Sequence, residues 1–156
     1  MTKYYCSPLK VVQNNLTRYR SPPVGNNLSW IFWDFDKDFF KNPGRLECIL
    51  RMGLKEDGLT PLDWYTHTFN DDHDKPIGYT MLVPLSESHL SVHTYKEHDS
   101  IAFGLYSCLG VDSGIKTYNR CLAEVQPKRT LLIKHKMPVD IQHIDDLALI
   151  VNKKLS

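Results

Sequence analysis

The sequence has no apolar run approaching the roughly eighteen residues that a membrane-crossing helix needs. It has no charge excess either: 19 Lys and Arg stand against 18 Asp and Glu, a formal net charge of +1. That balance argues against a chain built to grip nucleic acid or anionic lipid by charge. None of the four cysteines, Cys6, Cys48, Cys108 and Cys121, forms a CxxC pair, which disfavours a thiolate zinc site or a thioredoxin-like motif. The first residues, Met1 to Cys6, lack the apolar stretch and small-residue cleavage site of a secretion signal. Disulfides are therefore not expected, the cysteines read as small packed hydrophobes, and the cytoplasm is the expected compartment. No internal repeat or low-complexity tract interrupts the chain.

What is there is an ordinary soluble mixture, 42% hydrophobic and 24% charged over 156 residues, enough for one domain with a core. Residues 1–27 read as an N-terminal arm, in which Pro22, Pro23 and Gly25 break any periodicity. Residues 28–156 read as the domain. Leu28 to Phe35 is aromatic-rich and strand-like. Asn42-Pro43 reads as an N-cap and first helical residue, with Leu46, Ile49 and Leu50 at helical spacing and Gly58 as the stop. Leu62–Phe69, Tyr79–Leu85, Leu90–Tyr95 and Ser100–Ser107 read as strands, with a polar loop between the first and the second. Asp112-Ser113 is expected to cap a second helix with Ile115, Tyr118, Leu122 and Val125 on one face. Thr130–His135 reads as a strand, and Ile144 to Leu155 as a terminal helix. The middle strands are joined by connections too short for crossovers, so they should pair antiparallel. The expected fold is α+β: a two-layer α/β sandwich, an antiparallel sheet with its helices packed on one face.

Residues 84–110 concentrate nucleophiles and bases: Ser88, His89, His93, Glu97, His98 and Cys108. The solvated faces of a hairpin would account for such a composition without chemistry. With Glu97-His98 as the turn, however, the numbers of antiparallel partners sum to about 195. Cys108 then lies across from Glu87 and beside Ser88, a thiol next to a serine at a strand end. On a straight strand, at about 3.3 Å per residue, His93 lies roughly 16 Å from Ser88. A bend, a bulge or a later strand start is expected between them. A sharp turn at Ser86–His89 would strain the bond before Ser88. A metal hydrolase built on His89, His93, Glu97 and His98 is a competing reading. Side chains four residues apart along a strand stand about 13 Å from each other, too far for one zinc, so no metal is expected.

The run Glu87-Ser88-His89-Leu90-Ser91-Val92-His93-Thr94, then Glu97, then Ser107-Cys108 and Gly110, resembles the prokaryotic S-adenosylmethionine decarboxylase proenzyme family. The family pattern is ESHxxxHT, an acidic residue four positions beyond the second histidine, and a cysteine fifteen beyond it; all of these spacings hold here. The likeness is dense over residues 78–110 and thinner but collinear over 28–135. It implies a self-processing, pyruvoyl-dependent lyase of polyamine biosynthesis. Ser88 would attack the carbonyl of Glu87, an N-to-O shift would give an ester, and loss of the α-proton would eliminate it. Hydrolysis would leave a pyruvoyl group, derived from Ser88, on chain 88–156, separate from chain 1–87. By position, His93 matches the residue that takes the α-proton and Thr80 the hydroxyl that assists the shift. Cys108 matches the acid that reprotonates the product carbon.

In turnover the family's pyruvoyl carbonyl forms a Schiff base with the substrate amine and draws electrons from the carbon that loses CO₂. Glu97 matches the acidic residue that holds the ribose hydroxyls, and Phe69 and Tyr95 fall where the family stacks adenine. The resemblance also implies a homodimer of processed two-chain protomers, with the active site between chains and a small-molecule nucleoside or amino-acid substrate. Lys96, Gly104, Ile31 and the long acidic loop 70–77 depart from the family pattern. They leave the self-processing residues intact and open the alternative of ornithine or arginine as substrate. Asp71, Asp72 and Asp74 would attract a cation by charge, or simply form a solvated turn. A non-catalytic regulatory paralogue is a further alternative; Ser88, His93 and Cys108, all present, count against it.

Overall fold

Aromatic and branched side chains at every second position direct residues 24–138 into a six-stranded antiparallel sheet. These are the residues that the structure, a computed structural model, describes. The elements are β1 (Val24–Trp33), α1 (Pro43–Asp57), β2 (Tyr65–Asn70), β3 (Pro76–Leu85), β4 (Ser88–Tyr95), β5 (Ser100–Ser107), α2 (Ile115–Val125) and β6 (Arg129–Pro138). The strand order is β2-β3-β4-β5-β1-β6, and every neighbouring pair is antiparallel. This is the expected two-layer α+β sandwich.

One sheet face carries the core. Trp30, Phe32, Met81, Val83, Leu90, Val92, Ile101, Phe103 and Leu105 are buried there with Leu46, Leu50 and Leu54 of α1. Trp30 stacks on Phe103 at 4.7 Å and meets Tyr118 of α2 edge-on at 5.9 Å, the two geometries that aromatic quadrupoles favour. The residues that alternate with these make up the opposite face. Tyr65, Leu82, Leu131 and Ile133 stand exposed on it, and no described element packs over it.

α1 has the expected ends: the Arg45 N–H donates to Asn42 Oδ1 at 3.2 Å, and Gly58 closes the helix at φ +73°. α2 departs from expectation. Asp112-Ser113 does not cap it; Gly114 does, at φ +91°, with no side-chain bond. A Cβ there would meet Leu105 Cδ2 at 2.6 Å. The free N–H groups of α2 turn instead to Asp57, at the end of α1. Its Oδ2 accepts the Thr117 N–H at 2.7 Å and the Thr117 hydroxyl at 2.6 Å.

Boundaries shift as well. β1 begins at Val24, so the last four residues of the expected arm are strand, paired with β6. β2 begins at Tyr65 rather than Leu62, because Pro61 forms an isolated bridge with Leu85. Cys48 is exposed on the outer side of α1 rather than packed, while Cys121 is buried as expected. The rest of the arm, Cys6 and the expected terminal helix lie outside the described residues.

Gly53 lies where α1 crosses α2, and a Cβ on it would sit 2.7 Å from Thr117 Cα. Backbone cannot swing aside as a side chain can. Gly53→Ala is therefore expected to cost about 1–3 kcal/mol by overpacking, against a helix-propensity gain of about 1 kcal/mol. Urea unfolding reads the net effect as a lowered midpoint; a raised midpoint would mean that the two helices separate freely.

Candidate active site

β3 and β4 are joined by two residues only, Ser86 and Glu87, with Leu85 paired to Ser88. Ser88 has φ +152°, a region that L residues rarely enter. The turn itself is confined to Ser86-Glu87, and β4 already begins at Ser88. Ser88 pairs across β5 with Ser107, and the Cys108 N–H donates to the Glu87 carbonyl oxygen at 3.1 Å. The partner numbers sum as the Glu97-His98 turn predicts. Cys108 is half-buried, and Ser88 Oγ lies 3.1 Å from His89 Nδ1.

A second cluster forms further along the sheet. Thr80 pairs with His93, and Thr80 Oγ1 lies 2.6 Å from His93 Nδ1. Tyr95 and Phe69 flank His93 on either side, with ring centroids at 4.5 and 5.8 Å, both edge-on. Both aromatics are partly exposed. Glu97 is exposed in the short 3-10 turn Lys96–His98 that ends β4.

The structure therefore sorts the candidate residues into two groups. Glu87, Ser88 and Cys108 meet at one end of β4; Thr80, His93, Phe69 and Tyr95 meet near the other, next to Glu97. The bend or bulge expected between Ser88 and His93 is absent. β4 pairs with β3 and with β5 without a register shift from Ser88 onward, and a bulge there would break hydrogen bonds on both sides. Five residues of straight strand keep the two groups roughly 16 Å apart.

Two contacts in this region have no sequence signal. Asn26, fully buried, donates from Nδ2 to the Ser113 carbonyl at 2.7 Å and so ties down the loop after Cys108. Thr60 reaches the Glu87 side chain from 27 positions away. The departures from the family pattern are local in effect. A Cβ at Gly104 would come within 3.0 Å of Ser91 Oγ. Ile31 lines a pocket of about 300 Å³ with Trp33, Tyr95, His98, Ser100 and Ala102. In the acidic loop, Asp71 Oδ1 accepts the N–H groups of His73 and Lys75, each at 2.9 Å, and Asp74 accepts from Asn70. Those two carboxylates serve the loop itself, as in a solvated turn. Among the described residues, no three His, Cys, Asp or Glu side chains are grouped to hold a metal ion, and no helix is long and apolar enough to cross a membrane.

The fold and site together define a two-layer α+β domain whose hairpin presents a serine just after a carbonyl held by a backbone N–H. The family profile described as S-adenosylmethionine decarboxylase matches residues 28–136, and the chain belongs to that family. Among curated proteins it is similar to the S-adenosylmethionine decarboxylase proenzymes of Sulfurihydrogenibium sp. and Persephonella marina. The identities are 32% over 84 residues and 35% over 81, covering 54% and 52% of this chain. The chain spans 59% and 57% of those two proteins' lengths. The proenzyme of Thermotoga petrophila matches at 26% over 113 residues, 72% of this chain and 83% of its own. The crystal structure of the adenosylmethionine decarboxylase from Aquifex aeolicus has the same fold, with a TM-score of 0.64 at 22% identity. That match covers 75% of this chain and 92% of the other.

The three described cysteines differ in access. Burial pushes the Cys121 thiol well above the ordinary range and seals it in the core. Brief iodoacetamide treatment of native protein should alkylate Cys48 and Cys108 and spare Cys121 until the chain is unfolded, as peptide mass mapping would record. Early labelling of Cys121 would show that α2 does not close the core.

Proposed function

We propose that the chain is the proenzyme of a cytoplasmic, pyruvoyl-dependent S-adenosylmethionine decarboxylase that cuts itself between Glu87 and Ser88 and acts as a homodimer. One observation carries this reading: the family's reactive positions are all present, yet they form two half-sites near opposite ends of one straight strand. Ser88 with Cys108 makes one half, and Thr80 with His93 the other.

The self-cleavage needs no bound group, only the protein's own side chains and backbone. Ser88 Oγ attacks the Glu87 carbonyl carbon; the C–O bond forms as the C–N bond breaks, and the hydroxyl proton passes to the Ser88 nitrogen. The Cys108 N–H, already on that carbonyl oxygen, holds the charge that develops there. Scission also relieves the backbone strain at Ser88. A base then takes the Ser88 α-proton, and the Cβ–O bond breaks with Glu87 leaving as a carboxylate. His93 is that base, with its ring held by the Thr80 hydroxyl. Uptake of water and release of ammonia leave a ketone on residue 88. The pyruvoyl group so made supplies an electron-withdrawing carbonyl next to the bond that loses CO₂. The site fits it: the serine stands at a turn that two neighbouring segments grip, with Cys108 alongside as the acid that returns a proton to the product.

On a straight β4, His93 cannot reach the Ser88 of its own chain. A second copy, packed against the uncovered sheet face, would bring the partner subunit's His93, Thr80 and Glu97 to it. The apolar residues exposed there, Tyr65, Leu82, Leu131 and Ile133, favour such a contact. In this arrangement Glu97 holds the ribose hydroxyls, and Phe69 and Tyr95 offer their π faces to adenine. The names carried by the curated relatives support S-adenosylmethionine over ornithine or arginine. The intact Ser88, His93 and Cys108 support a catalyst over a regulatory paralogue.

Freshly made protein should run as two fragments, 1–87 and 88–156, and Ser88→Ala as one. Cys108→Ala should still be cut but should decarboxylate about 10²-fold more slowly, the usual weight of a positioned acid. The two-copy site has its own test. His93→Ala and Ser88→Ala should each stay whole when expressed alone. Co-expressed, they should yield cut His93→Ala chains, because the Ser88→Ala copy lends its histidine. A mixture that stays whole while wild type is cut would sink the shared site.

A further inference from the structure

The connection from α1 to β2 takes no part in the chemistry above, yet it meets the chain at the bond to be cut. Leu59 anchors it in the core. The Thr60 N–H donates to Glu87 Oε2 at 2.9 Å, and the Thr60 carbonyl accepts the Ser86 N–H at 3.0 Å. The Leu62 N–H donates to the Pro84 carbonyl at 2.9 Å. From the other side the Cys108 N–H holds the Glu87 carbonyl. The two-residue turn is thus gripped by separate segments on both flanks.

The consequence lies in where the strain falls. Two-residue hairpin loops normally place positive φ on the loop residues, which is why Gly and Asn favour them. Here neither Ser86 nor Glu87 has positive φ; the next residue, Ser88, does. The loop has been held in ordinary conformations and the strain moved onto the residue that reacts. Left to itself, the hairpin would relax by letting Glu87 swing.

We propose that Leu59–Leu62 is a strap that positions the scissile bond for self-cleavage, and that its working contact is the Thr60 N–H on the Glu87 carboxylate. The proposal rests on the self-cleavage reading above. Glu87 and Thr60 are then positioning residues: they act by fixing the acyl side of the bond, not by exchanging protons with it. What the contact needs from residue 87 is an acceptor oxygen, not a charge.

The test is the rate at which full-length chain, pulse-labelled in cell-free translation, turns into the two fragments. Glu87→Ala should slow cleavage about tenfold or more, equivalent to ~1.4 kcal/mol of barrier. Glu87→Gln, whose amide oxygen still accepts the N–H, should cleave within about twofold of wild type. Thr60→Pro, which removes that donor, should slow cleavage like Glu87→Ala. The double variant should be no slower than either single one, since both remove the same bond. Each substitution is repeated in the uncut Ser88→Ala chain, where thermal melting should be unchanged. Wild-type cleavage by Glu87→Ala, failure of Gln to rescue, multiplicative slowing in the double variant, or a matching drop in melting temperature would each overturn the strap. Wild-type chain that never cleaves would instead bring down the self-cleavage reading on which it rests.

Discussion

β4 is the strand on which the rest depends. It pairs with β5 along its whole length and with β3 from Ser88 to His93, with no shift in either register. A strand held on both edges has no freedom to bend, because each bulge would leave backbone groups unpaired on two neighbours at once. Its straightness fixes the distance between its ends. Ser88 opens it, and Tyr95 and the turn bearing Glu97 close it, so these groups stand at opposite ends of one strand. The same ladders that make the sheet rigid therefore hold the Ser88–Cys108 and Thr80–His93 groups apart, and the proposed shared site answers that separation.

The two faces of the sheet divide the work. Trp30, Phe32, Phe103 and Leu105 bury their bulk against α1 and α2, and that face supplies the apolar burial that stabilises the fold. The other face carries His93, Tyr95, Ile31 and Leu82 among small residues such as Ala102 and Gly104. It sets exposed apolar side chains beside the hydrogen-bonded Thr80–His93 pair. A sandwich with a third layer would have solved the exposure and hidden the histidine.

Where local signals carry the information, the sequence and the structure agree closely. Asn42-Pro43 and Gly58 bound α1 because a cap and a left-handed stop are written in the residues that form them. The Ser88–Ser107 pairing follows from one tight turn, since antiparallel partners keep a constant sum of residue numbers away from a bulge. The misread caps and strand boundaries are long-range. Asp112-Ser113 looks like a cap, but the groups that it would satisfy are taken by Asp57, 60 positions away from Thr117. Leu62 belongs by composition to a strand, but Pro61 bridges to Leu85 and the Leu62 N–H bonds the Pro84 carbonyl, far along the chain. Val24 to Asn27 lack any strand signal of their own and become strand because β6 lies beside them.

The site divides along the same line. Residue types gather Ser88, His89, His93, Glu97, His98 and Cys108 in one stretch, and the resemblance to the family picks Ser88, His93, Glu97 and Cys108 from among them. Only the three-dimensional arrangement determines which of them share a neighbourhood. The distance from Ser88 to His93, the positive φ at Ser88 and the grip of Thr60 on Glu87 all arise from contacts among segments far apart in the chain. A linear pattern records local conformational preference, but closure of a sheet and placement of strain depend on what packs against what.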